Sequence, residues 1–285
     1  MSIVVTAATG HLGRLVIDEL LMRVPADQVV AVARNADKAA RIAAKGVDVR
    51  IADYGRPETL NSVFSAGDVV LLISGTEFGR RTAQHGNVID AAKAAGVARL
   101  AYTSVLGGML EGFKLAAEQH KPTEQAILGS GLTYTLLRNG WYTENYTGQI
   151  PVQLEHGVVG AAGEGRIGSA TRADFSAAAA VVLTTEGHEN KTYELSGDSA
   201  WTFAEYAAEL SSQSGREVAY HDVPVDTLAA AFSSAGIPAE QAEAFAETDL
   251  GIKRGLLQGG SGELSRLIGR PTTPLAKTIS AALKG

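Results

Sequence analysis

Val4-Val5-Thr6-Ala7-Ala8-Thr9-Gly10-His11-Leu12-Gly13 decides the fold. An apolar run stops at a glycine-spaced turn, and a helical pattern begins at once. A dinucleotide pyrophosphate needs strand, Gly-rich turn and helix in that order. The turn lets backbone N–H groups approach the phosphates, and the helix N-terminus offers unpaired donors and a partial positive charge. Glycine supplies 32 of the 285 residues, so the spacing alone is weak. Its place directly after the first predicted strand gives it weight. Thr6, Ala7, Thr9, Gly10, His11, Leu12 and Gly13 are therefore the first cofactor-binding candidates. Residue 7 is Ala where the usual spacing has the glycine that permits the tight turn. A plain βα turn without a cofactor would share the pattern.

Working outward, short β-branched runs alternate with Ala-rich helical patterns. Strands are expected over 2–6, 28–33, 47–51, 68–73, 99–103 and 132–137. Helices are expected over 12–23, from the Asn35 cap to 45, from Pro57 onward, over 82–95 and over 114–130. Leu12, Val16, Leu20 and Leu21 share one face of the first helix, and Gly96 ends the fourth. Strands spaced by helices predict an α/β fold with a doubly wound, parallel Rossmann-type sheet. After Arg138 the pattern changes: 139–168 is rich in glycine and aromatics, and 172–185, 201–214, 225–235 and 238–249 read as helices around a short strand at 193–196. We expect an NADP-binding domain over 1–138. Over 139–285 we expect a smaller, mostly helical substrate lobe that covers the carboxyl edge of the sheet, with chain crossings back to the large domain allowed.

Bulk properties bound the function. A chain of this size buries about 75% of its unfolded surface and needs no staples. Net charge is −6 with no basic cluster, which argues against nucleic acid as the main partner. With no cysteine there is no disulfide, thiolate nucleophile or Cys-ligated metal, which suits a reducing cytoplasm. No 18-residue apolar run predicts a membrane span, and no signal-peptide pattern opens the chain. The six histidines form no metal-binding pair of the His-x-x-x-His kind, so no metal is expected.

Further candidates follow the strand ends, where open α/β sheets bind ligands. Arg34 closes strand 2, where an acid would read the ribose 2′-OH of NAD and an arginine accommodates the 2′-phosphate of NADP. Lys38, one helical turn on, can help. Asp53 and Tyr54 follow strand 3 beside the expected adenine, although a surface turn explains them equally. Ser74, Gly75 and Thr76 follow strand 4, and Thr103 and Ser104 follow strand 5; turn chemistry is the competing reading. Asn139, Gly140, Trp141 and Tyr142 follow strand 6 and can stack on and orient a flat ring, or form an aromatic hinge. His120, with Lys121 and Glu124, falls before strand 6 on a face that reads equally as solvated. Its unperturbed pKa permits proton donation near neutrality.

One absence narrows the chemistry. No tyrosine has a lysine four residues later, the pair that ordinary short-chain dehydrogenases use as their acid. Reduction of a ketone needs such an acid, whereas a quinone yields a resonance-stabilised anion that water can protonate.

The chain resembles the NmrA-like branch of the atypical short-chain dehydrogenases, and within it the bacterial type 2 NADPH:quinone oxidoreductases. The likeness runs through 6–13, Val32-Ala33-Arg34-Asn35, Ala52-Asp53-Tyr54, Gln84-His85-Gly86-Asn87-Val88-Ile89, Ala101-Tyr102-Thr103-Ser104, Leu136 to Tyr146, Ala170-Thr171-Arg172-Ala173-Asp174 and Ile268-Gly269-Arg270-Pro271-Thr272-Thr273. The departure is Ala7, where the family usually has glycine. The resemblance implies a monomer or homodimer, NADPH in the large lobe, and a quinone between the lobes that takes hydride directly, without flavin or metal. Asn139, Trp141 and Tyr142 fall where the family shapes the quinone pocket, and Tyr142, Asn139 and His120 are the catalytic candidates. Two other readings remain: a redox sensor that binds the dinucleotide without turnover, and a reductase of activated double bonds using Lys121 or Lys114.

Overall fold

A computed structural model describes residues 1–77, 79–107 and 114–284. The chain runs β1 (Ile3–Val5), α1 (His11–Leu21), β2 (Val29–Ala33), α2 (Ala36–Ala43), β3 (Asp48–Ile51), β4 (Val69–Leu72), α3 (Arg81–Ala95), β5 (Arg99–Val105), α4 (Lys114–Gly129) and β6 (Tyr134–Asn139). It continues with α5 (Glu144–Thr147), α6 (Ile150–His156), β7 (Val158–Gly160), α7 (Arg172–Thr184), β8 (Lys191–Leu195), α8 (Phe203–Ser214), β9 (Tyr220–Asp222), α9 (Val225–Ser234), α10 (Ala239–Lys253), α11 (Glu263–Ile268) and α12 (Leu275–Leu283).

Seven strands form one sheet in the order β3-β2-β1-β4-β5-β6-β8. The pairings of β2 with β3, β1 with β2, β1 with β4 and β4 with β5 are parallel. This is the doubly wound order with one strand added beyond β6, and it places the switch of winding between β1 and β4. Every residue of β1, β2, β4 and β5 is buried, as expected when helices cover both faces. On α1 the buried face is Leu12, Val16, Ile17 and Leu20; each large apolar side chain so buried contributes about 1.5–3 kcal/mol. Ile17 takes the place expected for Leu21, which is half-buried. Asn35 caps α2 by accepting from the Lys38 N–H at 3.1 Å, and Gly96 closes α3 with a left-handed φ of 70°.

One local expectation fails. The helix foreseen from Pro57 is a single 3-10 turn, Pro57–Leu60. Within it the Thr59 hydroxyl accepts from the Asp53 N–H and donates to the Arg56 carbonyl, competing for backbone groups as threonine does outside helices. The short strand foreseen at 193–196 is β8, and its place is at the edge of the main sheet beside β6. A five-residue strand carries no local mark of its partner.

The chain divides into two compact units. One comprises Met1–Val105, Gln119–Arg138 and Phe175–Tyr193; the other comprises Leu106–Glu118, Asn139–Asp174 and Glu194–Gly285. The second contains the parallel pair β7–β9 and most of the later helices. A small apolar cluster there joins Ala161, Leu228 and Ala246. Among the described residues no helix is long and apolar enough to cross a membrane.

Candidate functional site

The switch of winding between β1 and β4 directs attention to the chain just beyond their carboxyl ends. After β1, Ala7 adopts φ 48°, the left-handed conformation that a glycine would take without cost. The turn thus forms despite the methyl group, at an expense of about 1–2 kcal/mol. It is tied down by Ala8 N–H to Val32 O and Gly10 N–H to Ala7 O, both 3.0 Å. Gly10 is the N-cap of α1; no side chain caps that end and its first turn carries no acid. Gly10 and His11 are exposed, Thr9 is half-buried and Leu12 packs inward. A Cβ on Gly13 would stand 2.5 Å from Ala7 O and 2.8 Å from Ala8 Cα, so only glycine lets α1 approach the turn this closely. An uncapped, acid-free helix start behind a close-fitting turn suits an anionic pyrophosphate.

Beyond β4, three successive N–H groups leave the sheet and are taken up by side chains. Ile73 donates to Thr6 Oγ1 at 3.1 Å, Ser74 to Thr103 Oγ1 at 2.9 Å and Gly75 to His85 Nε2 at 2.9 Å. The Gly75 carbonyl accepts from Arg81 Nε at 2.7 Å. Tyr54 adds its hydroxyl to Thr6 Oγ1 and to Ile73 O. Thr6 also donates to Leu71 O at 2.9 Å, which saturates its hydroxyl. Thr6, Tyr54 and Thr103, foreseen as cofactor contacts, therefore serve as clips on the β4 tip. Ser104 likewise is committed: it donates to Glu124 Oε1 at 2.5 Å, and Arg138 grips the same buried carboxylate at 2.9 and 2.6 Å. Ser74 and Gly75 are half-buried and Thr76 is exposed. Asp53 accepts from the Gly55 N–H at 2.8 Å, holding the turn after β3.

Sequence reading overlooked His85 and Arg81. Helix α3 buries Gln84 and His85 on the same side as Val88, Ile89 and Ala92. Two polar residues on an apolar face were the available signal. Since Gly75 N–H can only donate, His85 Nε2 is the bare nitrogen, and Nδ1–H faces Thr123 Oγ1 at 2.9 Å. Burial, then the neighbouring Arg81 charge, pushes the His85 pKa down to about 3. His120 is fixed the same way: Arg81 Nη1 faces Nε2 at 3.1 Å, and Nδ1 lies 2.8 Å from the Tyr102 hydroxyl. Burial and Arg81 hold its pKa well below the ordinary value. His120 is thus a neutral link between Arg81 and Tyr102, and it has no labile proton to donate near neutrality. Lys121 is half-buried, and the Lys114 side chain lies outside the described residues.

In the other unit, Gly140 is needed for packing, since a Cβ there would meet Leu195 O at 2.9 Å. Asn139 is buried, and its Oδ1 finds no hydrogen-bond partner among the described residues. Trp141 and Tyr142 are half-buried. The Arg172 guanidinium stacks 4.6 Å from the Tyr142 ring centroid and donates to Asn145 Oδ1 at 2.8 Å. Burial raises the Tyr142 pKa, against a hydrogen bond from Asn139 and the Arg172 charge. Tyr142 therefore stays a neutral phenol at physiological pH.

Arg34 and Lys38 are exposed beyond β2. The Arg34 guanidinium lies 2.9 Å from Glu77 Oε1.

A family model described as NAD(P)H-binding matches residues 7–186. Quinone oxidoreductase 2 of Escherichia coli is 51% identical over 279 residues, 98% of this chain and 97% of that protein. A crystal structure of the NADPH-dependent quinone oxidoreductase of Escherichia coli complexed with NADPH has a TM-score of 0.95 at 50% identity, covering 99% of both chains. The Citrobacter triphenylmethane reductase has a TM-score of 0.93 at 41% identity, covering 100% of both chains.

Proposed function

The chain belongs to the NAD(P)H-binding family, and on that premise we propose that it is an NADPH-dependent quinone oxidoreductase. The observation that carries this reading is the 51% identity to the Escherichia coli quinone oxidoreductase, which spans nearly the whole of both proteins. The bare N-terminus of α1 and the clipped tip of β4 support the cofactor half.

When bound, NADPH supplies the hydride that reduces the quinone. The chain's part is binding and orientation, which account for most of such catalysis. The N–H donors of His11 to Gly13 hold the pyrophosphate, and Arg34, aided by Lys38, reads the 2′-phosphate. Thr6, Thr103, His85 and Arg81 fix the β4 tip so that Ser74 and Gly75 keep one conformation. In the other unit, Trp141 and Tyr142 offer aromatic faces to the quinone. Asn139 hydrogen-bonds the Tyr142 side chain and so positions the phenol. The Tyr142 phenol, kept neutral by burial, donates a hydrogen bond to the reduced oxygen, and water supplies the proton. His120, neutral and turned to Arg81, takes no part in that transfer. A cytoplasmic setting, and a monomer or homodimer, complete the proposal.

The direct test is oxidation of NADPH, and separately of NADH, at 340 nm with a simple benzoquinone in metal-free buffer without flavin. Turnover with NADPH supports the reading; tight NADPH binding without turnover across a quinone panel replaces it with the sensor reading. Tyr142→Ala is expected to raise the quinone KM by about fivefold or more, the loss of one hydrogen bond and a stacking face. NADPH affinity should stay unchanged. An unaltered quinone KM refutes the pocket assignment.

A further inference from the structure

Two arginines, one after a strand and one at the start of a helix, meet on one carboxylate. Arg34, directly after β2, places Nη1 2.9 Å from Glu77 Oε1. Arg80, the residue before α3, places Nη1 3.4 Å from Glu77 Oε2. Gln84 Nε2 donates to that second oxygen at 2.8 Å. Arg80 also lies along the turn after β3, since a Cβ on Gly55 would stand 3.7 Å from its Nη2. The end of β2 and the start of α3 thus bring two guanidiniums together on Glu77, beside the turn after β3. Neither arginine is buried: the side chains are 66% and 68% exposed.

As an ordinary ion pair this cluster would contribute little to stability. Its arrangement is more informative. Two forked cations around one anion form the donor set that a phosphate monoester uses best, with a double charge and three acceptor oxygens where a carboxylate has one charge and two. The cluster holds two positive charges against one negative, so it favours a more strongly charged anion over Glu77.

We infer that Arg80 is a second ligand of the cofactor's 2′-phosphate, beside Arg34, and that Glu77 is the internal anion this phosphate displaces. The inference rests on the NADPH reading above. It gives this chain two cations for cofactor choice where the sequence indicated Arg34 with help from Lys38. It also makes Glu77 a competitor: each NADPH that binds must first separate Glu77 from the guanidiniums, whereas NADH gains nothing by doing so.

The test is equilibrium binding followed by NADPH and NADH fluorescence, with adenosine 2′,5′-bisphosphate and 5′-AMP as displacing probes. Arg80→Ala is expected to weaken NADPH and the bisphosphate by about tenfold, the scale of one charge-assisted hydrogen bond at a solvated site. NADH and 5′-AMP should be unaffected. Glu77→Gln is expected to tighten NADPH several-fold and leave NADH unchanged. If Arg34→Ala discriminates between the cofactors and Arg80→Ala does not, the Arg80 assignment is overturned and the NADPH reading stands. If neither discriminates, the 2′-phosphate site itself is misplaced and both fall. Weaker NADPH binding in Glu77→Gln overturns the displacement idea. Both side chains are exposed, so the variants should fold, and a melting curve for each confirms it.

Discussion

Gly13→Ala is expected to weaken NADPH binding by at least about tenfold, and to destabilise the fold by about 1–3 kcal/mol, the usual cost of overpacking. The added carbon would stand 2.5 Å from Ala7 O and 2.8 Å from Ala8 Cα, both backbone atoms of the turn. Backbone cannot swing aside as a flexible side chain can, so α1 must move away from β1 and carry its free N–H groups with it. Losing alignment with one charged oxygen is worth about 1.5–3 kcal/mol, so affinity should fall by at least about tenfold. Gly10→Ala is the control. Its φ of −72° suits any residue, and its Cβ would stand 3.2 Å from Ala7 O, a contact that a small shift relieves. Titration of both variants with NADPH, beside urea unfolding, checks the pair. Equal losses in the two would show that backbone proximity at residue 13 does not govern the site.

That turn was legible in the sequence because every part of it is local. Strand, glycine spacing and helix face lie within the first two dozen residues, and β1, α1, β2 and α2 fall where periodicity and the Asn35 cap place them. Ala7 is the instructive exception. Sequence marks it as a defect, yet its φ of 48° shows the turn imposing its conformation on a residue that tolerates it poorly. Hydroxyls at strand ends were the harder case. Thr6, Thr103 and Tyr54 sit where ligand contacts are expected, but a hydroxyl there can serve a ligand or a departing backbone N–H equally well. Only the partner decides, and those partners lie far along the chain: Thr6 meets Ile73, and Ser74 meets Thr103. The same distance hid β8 beside β6, the β7–β9 pair and the meeting of Arg34 with Arg80 on Glu77. The Asn139 to Tyr142 segment was found by composition, whereas its cationic neighbour Arg172 came from elsewhere in the chain.

Acid should weaken the fold through His85 before ordinary carboxylates titrate. His85 is fully buried, and its folded pKa is depressed from 6.5 to about 3. The unfolded chain therefore binds the proton first. The contribution is fully present above about pH 6.5 and is lost progressively as pH falls towards about 3. The loss is about 1.4 kcal/mol per pH unit for one such group, or roughly 2 kcal/mol between pH 7.5 and pH 5. The structural cause is specific. A proton on Nε2 would set a donor against the Gly75 N–H, beside the Arg81 charge, and release the β4 tip. His120, depressed by burial and the same arginine, acts in the same direction. Asp249 opposes them: burial raises its pKa to about 6, so it is relieved as acid is added. The sum over the whole protein is therefore the wrong quantity to read. His85→Gln isolates the group, since a neutral amide oxygen can accept from Gly75 at any pH. Its destabilisation relative to the parent, measured by urea unfolding, should shrink by roughly 2 kcal/mol from pH 7.5 to pH 5. A difference that stays constant across this range would mean that His85 is not held neutral by the fold. His85→Leu, which offers Gly75 no acceptor, should lose more stability than Gln at pH 7.5, by about 1–3 kcal/mol for an orphaned buried N–H. It should also loosen NADPH binding, since the tip of β4 is then free to move.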